Sequence, residues 1–331
     1  MSKVAVIGTG GTISSVGADR FDQVNYSDTG EKYDAAGLVE WFSEVKQIAD
    51  VVPVAFRAVS STAVGPAEWL ALVKLIRELS ENDPTLDGIV VTHGTATLEE
   101  TAYFLNLTIK TDLPVVLVGA QRPASAFGAD GGMNLMDAIR VAGSEQARGL
   151  GVLVVLNGEI QAAREVTKTS TYRLQTFRTP DFGVLGHVDG DGSIAMYRRP
   201  LRRHAPDTEF DLSGLGALPR VDILLSYAGS DGAAVGAYMA SGARGIVSAG
   251  MAPGSGTPAD VEALENAIAM GIVVVQSTRA GSGRVLKGKT PSVKGSVFGD
   301  NLNPQKARIL LMLALTRTQD PAAVQTIFDV Y

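Results

Sequence analysis

The chain has 331 residues, 45% of them hydrophobic, and 29 basic against 35 acidic side chains give a formal charge of −6. It can bury a large core, and it carries no basic block of the kind that tracks a phosphate backbone, so a nucleic-acid partner is not expected. There is no cysteine and only three histidines, His93, His187 and His204, which excludes thiol nucleophiles, disulfides, iron–sulfur clusters and Cys-based zinc sites and leaves no His pair at metal-ligand spacing.

The first apolar run, Lys3 to Ile7, reads as a strand over 3–8 that ends in Gly8-Thr9-Gly10-Gly11-Thr12. With no run of about 18 apolar residues and a strand already under way at Lys3, neither a membrane span nor a signal peptide is read, and the cytoplasm is the expected compartment. The polar stretch from Ser14 to Lys32, rich in Gly and Asp, reads as a long loop of the type that serves as an active-site lid. A helix over 34–48 and a strand over 51–57 follow. Pro66 marks the first turn of a helix over 66–80, whose apolar stripe is Leu70, Leu72, Val73, Ile76 and Leu79. A strand over 87–92 runs into Thr92-His93-Gly94-Thr95-Ala96-Thr97 and opens a helix over 98–108. A strand over 114–119, a helix over 132–142 and a strand over 151–156 complete a βα alternation, the pattern of an α/β fold around a parallel sheet.

A polar, proline-bounded stretch after Pro200 sets the boundaries: a larger N-terminal domain over 1–205, a linker over 206–219, and a smaller C-terminal α/β domain over 220–331. In the latter, apolar runs at Val221–Leu225, Gly245–Ser248 and Gly271–Val275 alternate with helical segments, and Asp320-Pro321 starts a final helix.

Two threonines, Thr12 and Thr95, thus lie just past two strand ends, the edge at which open α/β sheets gather ligands. The glycines of 8–11 also invite a dinucleotide reading, but the third glycine of Gly-x-Gly-x-x-Gly falls on Ile13. No Gly-x-Ser-x-Gly elbow is present. His93, at a strand end, reads as a packed, hydrogen-bonded histidine and is given no catalytic role. Lys168 from its surroundings alone reads equally as a solvated strand-end charge, and Tyr26 as a loop residue.

Thr9-Gly10-Gly11-Thr12-Ile13, Asn25-Tyr26, His93-Gly94-Thr95, Glu99 to Leu105, Val166-Thr167-Lys168-Thr169, Ile246 to Gly250 and Leu302-Asn303-Pro304-Gln305-Lys306-Ala307-Arg308 together carry a resemblance. The chain resembles the bacterial L-asparaginases of type II from about residue 3 to its end. The resemblance implies an asparaginase-like fold and hydrolysis of a side-chain amide through an acyl-enzyme, with Thr12 as nucleophile, Tyr26 as its partner on the loop, and Thr95 with Lys168 as the second catalytic group. It implies no metal and no organic cofactor, a small-molecule substrate, and a homotetramer built from intimate dimers. A Thr hydroxyl needs an adjacent proton acceptor, and Lys168 can serve as a base only if burial lowers its pKa.

The departures from the family pattern concern the substrate. Family members have an Asp after the second catalytic Thr, where it holds the substrate's α-ammonium; here the residue is Ala96, beside Gly94 and Thr95. Where they have Ser-Gln-Asp, this chain has Ser61 and Thr62, so Ser61 retains a carboxylate-binding hydroxyl and the Gln is lost. The Asn usually contributed by a neighbouring subunit falls on Ser255, and the Glu falls in Arg284-Val285-Leu286-Lys287-Gly288-Lys289, with Lys287 in the pocket and a positive local sign. Leaving a substrate ammonium unpaired in a buried pocket costs about several kcal/mol. The expected substrate is therefore an amide or related acyl compound without an α-ammonium, possessing an anionic end where the basic segment is concerned. Three alternatives stand beside it: an ordinary L-asparaginase or glutaminase that recruits another carboxylate, such as Asp130, for the ammonium; a lactone or ester hydrolase; and a non-catalytic binding protein.

Overall fold

A computed structural model describes residues 1–288 and 292–331. The chain divides into two compact units, Met1–Asp211 and Leu212–Tyr331.

In the first unit the elements are β1 (Ser2–Gly10), α1 (Ala35–Trp41), β2 (Ala49–Val59), α2 (Pro66–Asn82), β3 (Gly88–Thr92), α3 (Leu98–Thr108), β4 (Val115–Val118), α4 (Gly131–Ala142), β5 (Val152–Leu156), β6 (Glu159–Ala162), β7 (Thr167–Lys168), β8 (Phe177–Arg178), β9 (Gly186–Val188) and β10 (Ile194–Met196). The main sheet has the order β10-β9-β6-β5-β4-β3-β1-β2. From β2 to β5 it is parallel, and β3, β4 and β5 are near-continuous Val/Ile/Leu runs buried along their whole length. One face packs Val4, Val6, Val90, Val116 and Val118 against Leu38 and Val39 of α1 and Leu135, Ala138 and Ile139 of α4.

The sheet is not wholly parallel, as the alternation of strands and helices predicts; β6, β9 and β10 extend it antiparallel. The turn responsible is Asn157-Gly158, both residues at positive φ (55° and 71°), joining Leu156 directly to Glu159. Asn-Gly is a strong signal for a two-residue hairpin because both positions tolerate the left-handed region, and the sequence carries it in plain view.

The helix expected over 34–48 is also shorter than its apolar pattern suggests. Asp34 caps α1 by accepting from the Gly37 N–H at 2.7 Å. The helix then breaks at Phe42 (φ −107°, ψ 53°) and resumes as a 3₁₀ turn over Ser43–Gln47. The Phe42 ring lies where a side chain on Gly131 or Gly132 of α4 would stand, so docking against α4 takes precedence over helical continuity. Pro66 opens α2 as expected, with the Glu68 carboxylate accepting from the Gly65 N–H.

The second unit comprises β11 (Val221–Leu225), α5 (Ala233–Ala240), β12 (Gly245–Gly250), α6 (Pro258–Ala269), β13 (Val273–Thr278), β14 (Val297–Phe298), α7 (Pro304–Ala314) and α8 (Pro321–Val330). Its sheet, β11-β12-β13-β14, is parallel throughout, and α8 begins at the Asp320 cap, which accepts from Ala323 N–H at 3.0 Å. Among the described residues no helix is long and apolar enough to cross a membrane.

Candidate active site

β1 and β3 are adjacent and parallel, with Gly8 opposite Thr92, so the loops that follow them leave the sheet side by side. Thr9 does not point into that space: its hydroxyl donates to the Thr92 carbonyl at 2.8 Å and pins the two strands together. Three residues on, the chain passes through Gly10 (φ 94°) and Gly11 (φ 83°) into a 3₁₀ turn that carries Thr12. A Cβ on Gly11 would lie 2.2 Å from the Gly94 Cα, and one on Gly94 would lie 2.8 Å from Ser61 Oγ. Only glycine permits this approach, which is how Thr12, Gly94, Thr95 and Ser61 come to share one place.

The Thr12 hydroxyl lies 2.8 Å from the Tyr26 hydroxyl. Tyr26 is carried on the loop between β1 and α1, closed at its base by the Ser15–Lys32 bridge and the Val16 N–H to Glu31 carbonyl bond. Within it, Asp19 and Asp22 accept from backbone N–H groups two and three residues on, and Thr29 ties Val16 to Tyr26 through their carbonyls. The loop also leans on the segment after β4: Ala124 N–H donates to the Ser15 carbonyl, Phe127 N–H to the Arg20 carbonyl, and Arg20 stacks over the Phe127 ring.

Thr95 is buried, and Lys168 Nζ donates to its hydroxyl at 2.7 Å. Lys168 sits on β7, held in a small hairpin with β8. Burial pushes its pKa below 10.5, opposed by the nearby Glu99 carboxylate, the direction a Lys acting as a base requires. Glu99 itself is buried in the first turn of α3, a neighbour of Lys168 that the sequence alone does not bring forward.

His93 is fully buried and structural in its bonding. Trp69 Nε1–H donates to Thr101 Oγ1 at 2.9 Å, Thr101 stands 2.9 Å from His93 Nε2, and His93 Nδ1 stands 2.8 Å from the Gly94 carbonyl. With the indole as donor, the relay runs one way: Thr101 O–H to Nε2, and Nδ1–H to Gly94, which fixes a neutral ring. Burial, against the Gly94 bond, pushes its pKa down to about 4 from 6.5. The folded pKa lies below the unfolded one, so this contribution to stability is complete above pH 6.5 and is lost as pH falls toward 4, about 3 kcal/mol in all. Thr101→Val leaves the Trp69 donor and the His93 acceptor unmet; unfolding in urea at pH 7 is expected to show a loss of about 3 kcal/mol. An unchanged midpoint would remove the relay from the account of how this turn is held.

The remaining positions separate. Ser61 is buried, and its carbonyl accepts from Thr97 Oγ1 at 2.8 Å. Thr62 is exposed and its hydroxyl bonds Ser60 at 3.0 Å. Ala96 is exposed, with no carboxylate of its own to offer. Asp130, the carboxylate suggested as a replacement, is committed elsewhere: its two oxygens accept from the Gln121 and Arg122 N–H groups, each at 2.9 Å, and from Asn134 Nδ2 at 3.1 Å. It is the clasp of the turn after β4, and both oxygens are engaged by backbone.

In the second unit, Ser255 closes a tight turn by exchanging backbone bonds with Met251. The described charges of the basic segment are paired within the unit. Lys287 pairs with Asp329 at 2.6 Å, and Arg284 pairs with Asp300. Lys289 lies outside the described residues. Among those described, no group of three or more His, Asp or Glu side chains is arranged to hold a metal.

Residues 3–202 match the family model for the N-terminal domain of asparaginase, and residues 220–328 match that for the glutaminase/asparaginase C-terminal domain. The chain is similar to L-asparaginase 2 of Bacillus subtilis, at 43% identity over all of this chain and 87% of the relative. Similarity to the glutaminase-asparaginase of Pseudomonas fluorescens is 39% over 100% of this chain and 91% of the relative. The crystal structure of a probable cytoplasmic L-asparaginase from Campylobacter jejuni superposes with a TM-score of 0.94 at 39% identity, covering 100% of both chains.

Proposed function

The chain belongs to the asparaginase family and is a hydrolase; from that premise we propose that it works through Thr12 on an amide, or a related acyl compound, that lacks an α-ammonium. One observation carries the proposal. The paired groups Thr12–Tyr26 and Thr95–Lys168 are intact, while position 96 is an exposed alanine and the nearby Asp130 carboxylate is taken up by backbone.

In the proposed reaction Thr12 Oγ adds to the substrate carbonyl as its proton passes to the Tyr26 oxygen at 2.8 Å and the phenol hands its own proton on to the substrate nitrogen. The tetrahedral intermediate then collapses, releasing the protonated nitrogen as ammonia and leaving an ester on Thr12. Water, deprotonated by the Thr95–Lys168 pair in its neutral form, then adds to the ester, and Thr12 recovers its proton. The sum is amide plus water giving acid plus ammonia. A lactone or ester substrate follows both steps, with an alcohol leaving in place of ammonia.

A second reading, free L-asparagine or glutamine as substrate, draws support from the names of relatives such as L-asparaginase 2 and glutaminase-asparaginase. Ammonia release from L-asparagine and from succinamate, its analogue without the amino group, separates the two. Higher kcat/KM on succinamate is the expected result; a preference for L-asparagine would establish the second reading. The proposal extends to assembly: Ser255 and Lys287 are assigned to a neighbouring subunit's pocket in a homotetramer of intimate dimers, which light scattering tests against the 34.6 kDa of one chain.

A further inference from the structure

β4 is the next strand along from β3, so the residues that follow it stand beside Thr95 as Thr95 stands beside Thr12. Gln121 comes three residues past the end of β4, after Gly119 and Ala120. Val116, Val118 and Ala120 all belong to the core on the α1 and α4 face, and Leu117 and Gly119 alternate to the other. Gly119 confirms that face, since a Cβ there would lie 3.0 Å from Thr95 Cγ2.

The backbone around Gln121 is fixed. Its N–H donates to Asp130 Oδ2 at 2.9 Å, the Arg122 N–H to Oδ1 at 2.9 Å, and Asn134 Nδ2 holds the Gly119 carbonyl at 3.0 Å. On this rigid turn the Gln121 side chain is 8% exposed, and its Nε2 is buried without a hydrogen-bond partner. A buried amide donor left unmet is a standing cost to the fold, and at the catalytic edge of a sheet that cost is recovered when a ligand brings an acceptor.

We propose that Gln121 is a substrate-binding residue, its side-chain amide donating to a carboxylate oxygen at the end of the acyl chain remote from the scissile carbonyl. The inference rests on Thr12 and Thr95 marking the reacting site, and it names the substrate class: the half-amide of a dicarboxylic acid. Donation from the unmet amide nitrogen suits an anionic acceptor, which agrees with the absence of a carboxylate at position 96.

Succinamate and butyramide test it, because they share the scissile amide and differ in the terminal carboxylate. Gln121→Met, close in length and without a donor, is expected to raise KM for succinamate about tenfold (about 1.4 kcal/mol) and leave kcat within about twofold, the signature of binding lost equally in ground and transition states. The constant for butyramide should not move. Gln121→Glu keeps the shape and adds a repelling charge, so it should raise KM for succinamate further. An equal rise on both amides, a fall in kcat at constant KM, or a lower melting temperature with KM unchanged would each overturn the assignment. Calorimetric titration with succinate separates this from the catalytic proposal. Weaker succinate binding by Gln121→Met in a protein that turns over no amide would keep the inference and remove the hydrolase reading at Thr12. Equal affinity, or no succinate binding by either protein, would overturn the inference whatever the turnover.

Discussion

Thr12→Ala is expected to lower kcat on the best amide substrate by about 10⁴-fold or more, with succinate affinity changed by less than about threefold. The size follows from what the hydroxyl does: without it no ester forms, and the site retains only its capacity to bind. The alanine fits the turn without strain, because the positive φ angles belong to Gly10 and Gly11 and not to residue 12. Thr12→Ser, which restores an oxygen at the same distance from Tyr26, should recover a measurable part of the rate. Initial rates by ammonia release, with mass spectrometry for the acyl adduct on the wild-type chain, make the test. Turnover by Thr12→Ala within tenfold of wild type would move the nucleophile elsewhere, and ligand binding without turnover in either protein would point to the non-catalytic alternative.

Ala96→Asp should reverse the choice of substrate. A carboxylate beside Thr95 supplies an ammonium partner and repels an anionic acyl chain, and once the bound substrate and the neighbouring subunit proposed above exclude water from position 96, a charge pair of this kind is worth about 2–4 kcal/mol. The ratio of kcat/KM for L-asparagine to that for succinamate is therefore expected to rise about 30- to 1,000-fold. The same substitution acts on Lys168, whose pKa is held below 10.5 chiefly by burial. A new negative charge nearby favours the ammonium, so the pKa rises. The base must be neutral, so activity appears as pH climbs through that pKa, and this rising limb should shift to higher pH in the variant. A limb that moves to lower pH would mean that Lys168 is not the group titrating, and an unchanged substrate ratio would mean that position 96 does not set the preference.

The parallel half of the first sheet was legible because its strands are buried on both faces and read as unbroken apolar runs, as Val115–Val118 and Val152–Leu156 do. The antiparallel half was less so. β9 and β10 have three residues each, too short for a period to register, and β6 was announced only by the Asn157-Gly158 turn. Of the site, the residue types and loops around Thr12, Tyr26, Thr95 and Lys168 came from motif resemblance, while their pairing is a matter of coordinates. Two features lay beyond sequence. Asp130 can be told from a substrate ligand only by seeing both oxygens on backbone N–H groups. Gln121 is conspicuous only through an unmet donor, a property of its surroundings. Its one sequence signal is position, just past a third strand end beside the two that carry threonines.

The contact between Gly11 and Gly94 has a bearing on how such a protein can change its substrate. With backbone against backbone at that point, the two threonine loops behave as a single piece, and no side chain there can be altered to shift one against the other. Positions 61, 62, 96 and 121 lie around that piece and carry side chains of their own. Laboratory diversification confined to these four should explore acyl groups while the bond-making apparatus is inherited unchanged, whereas any library that admits residues larger than glycine at 11 or 94 should return mostly inactive protein.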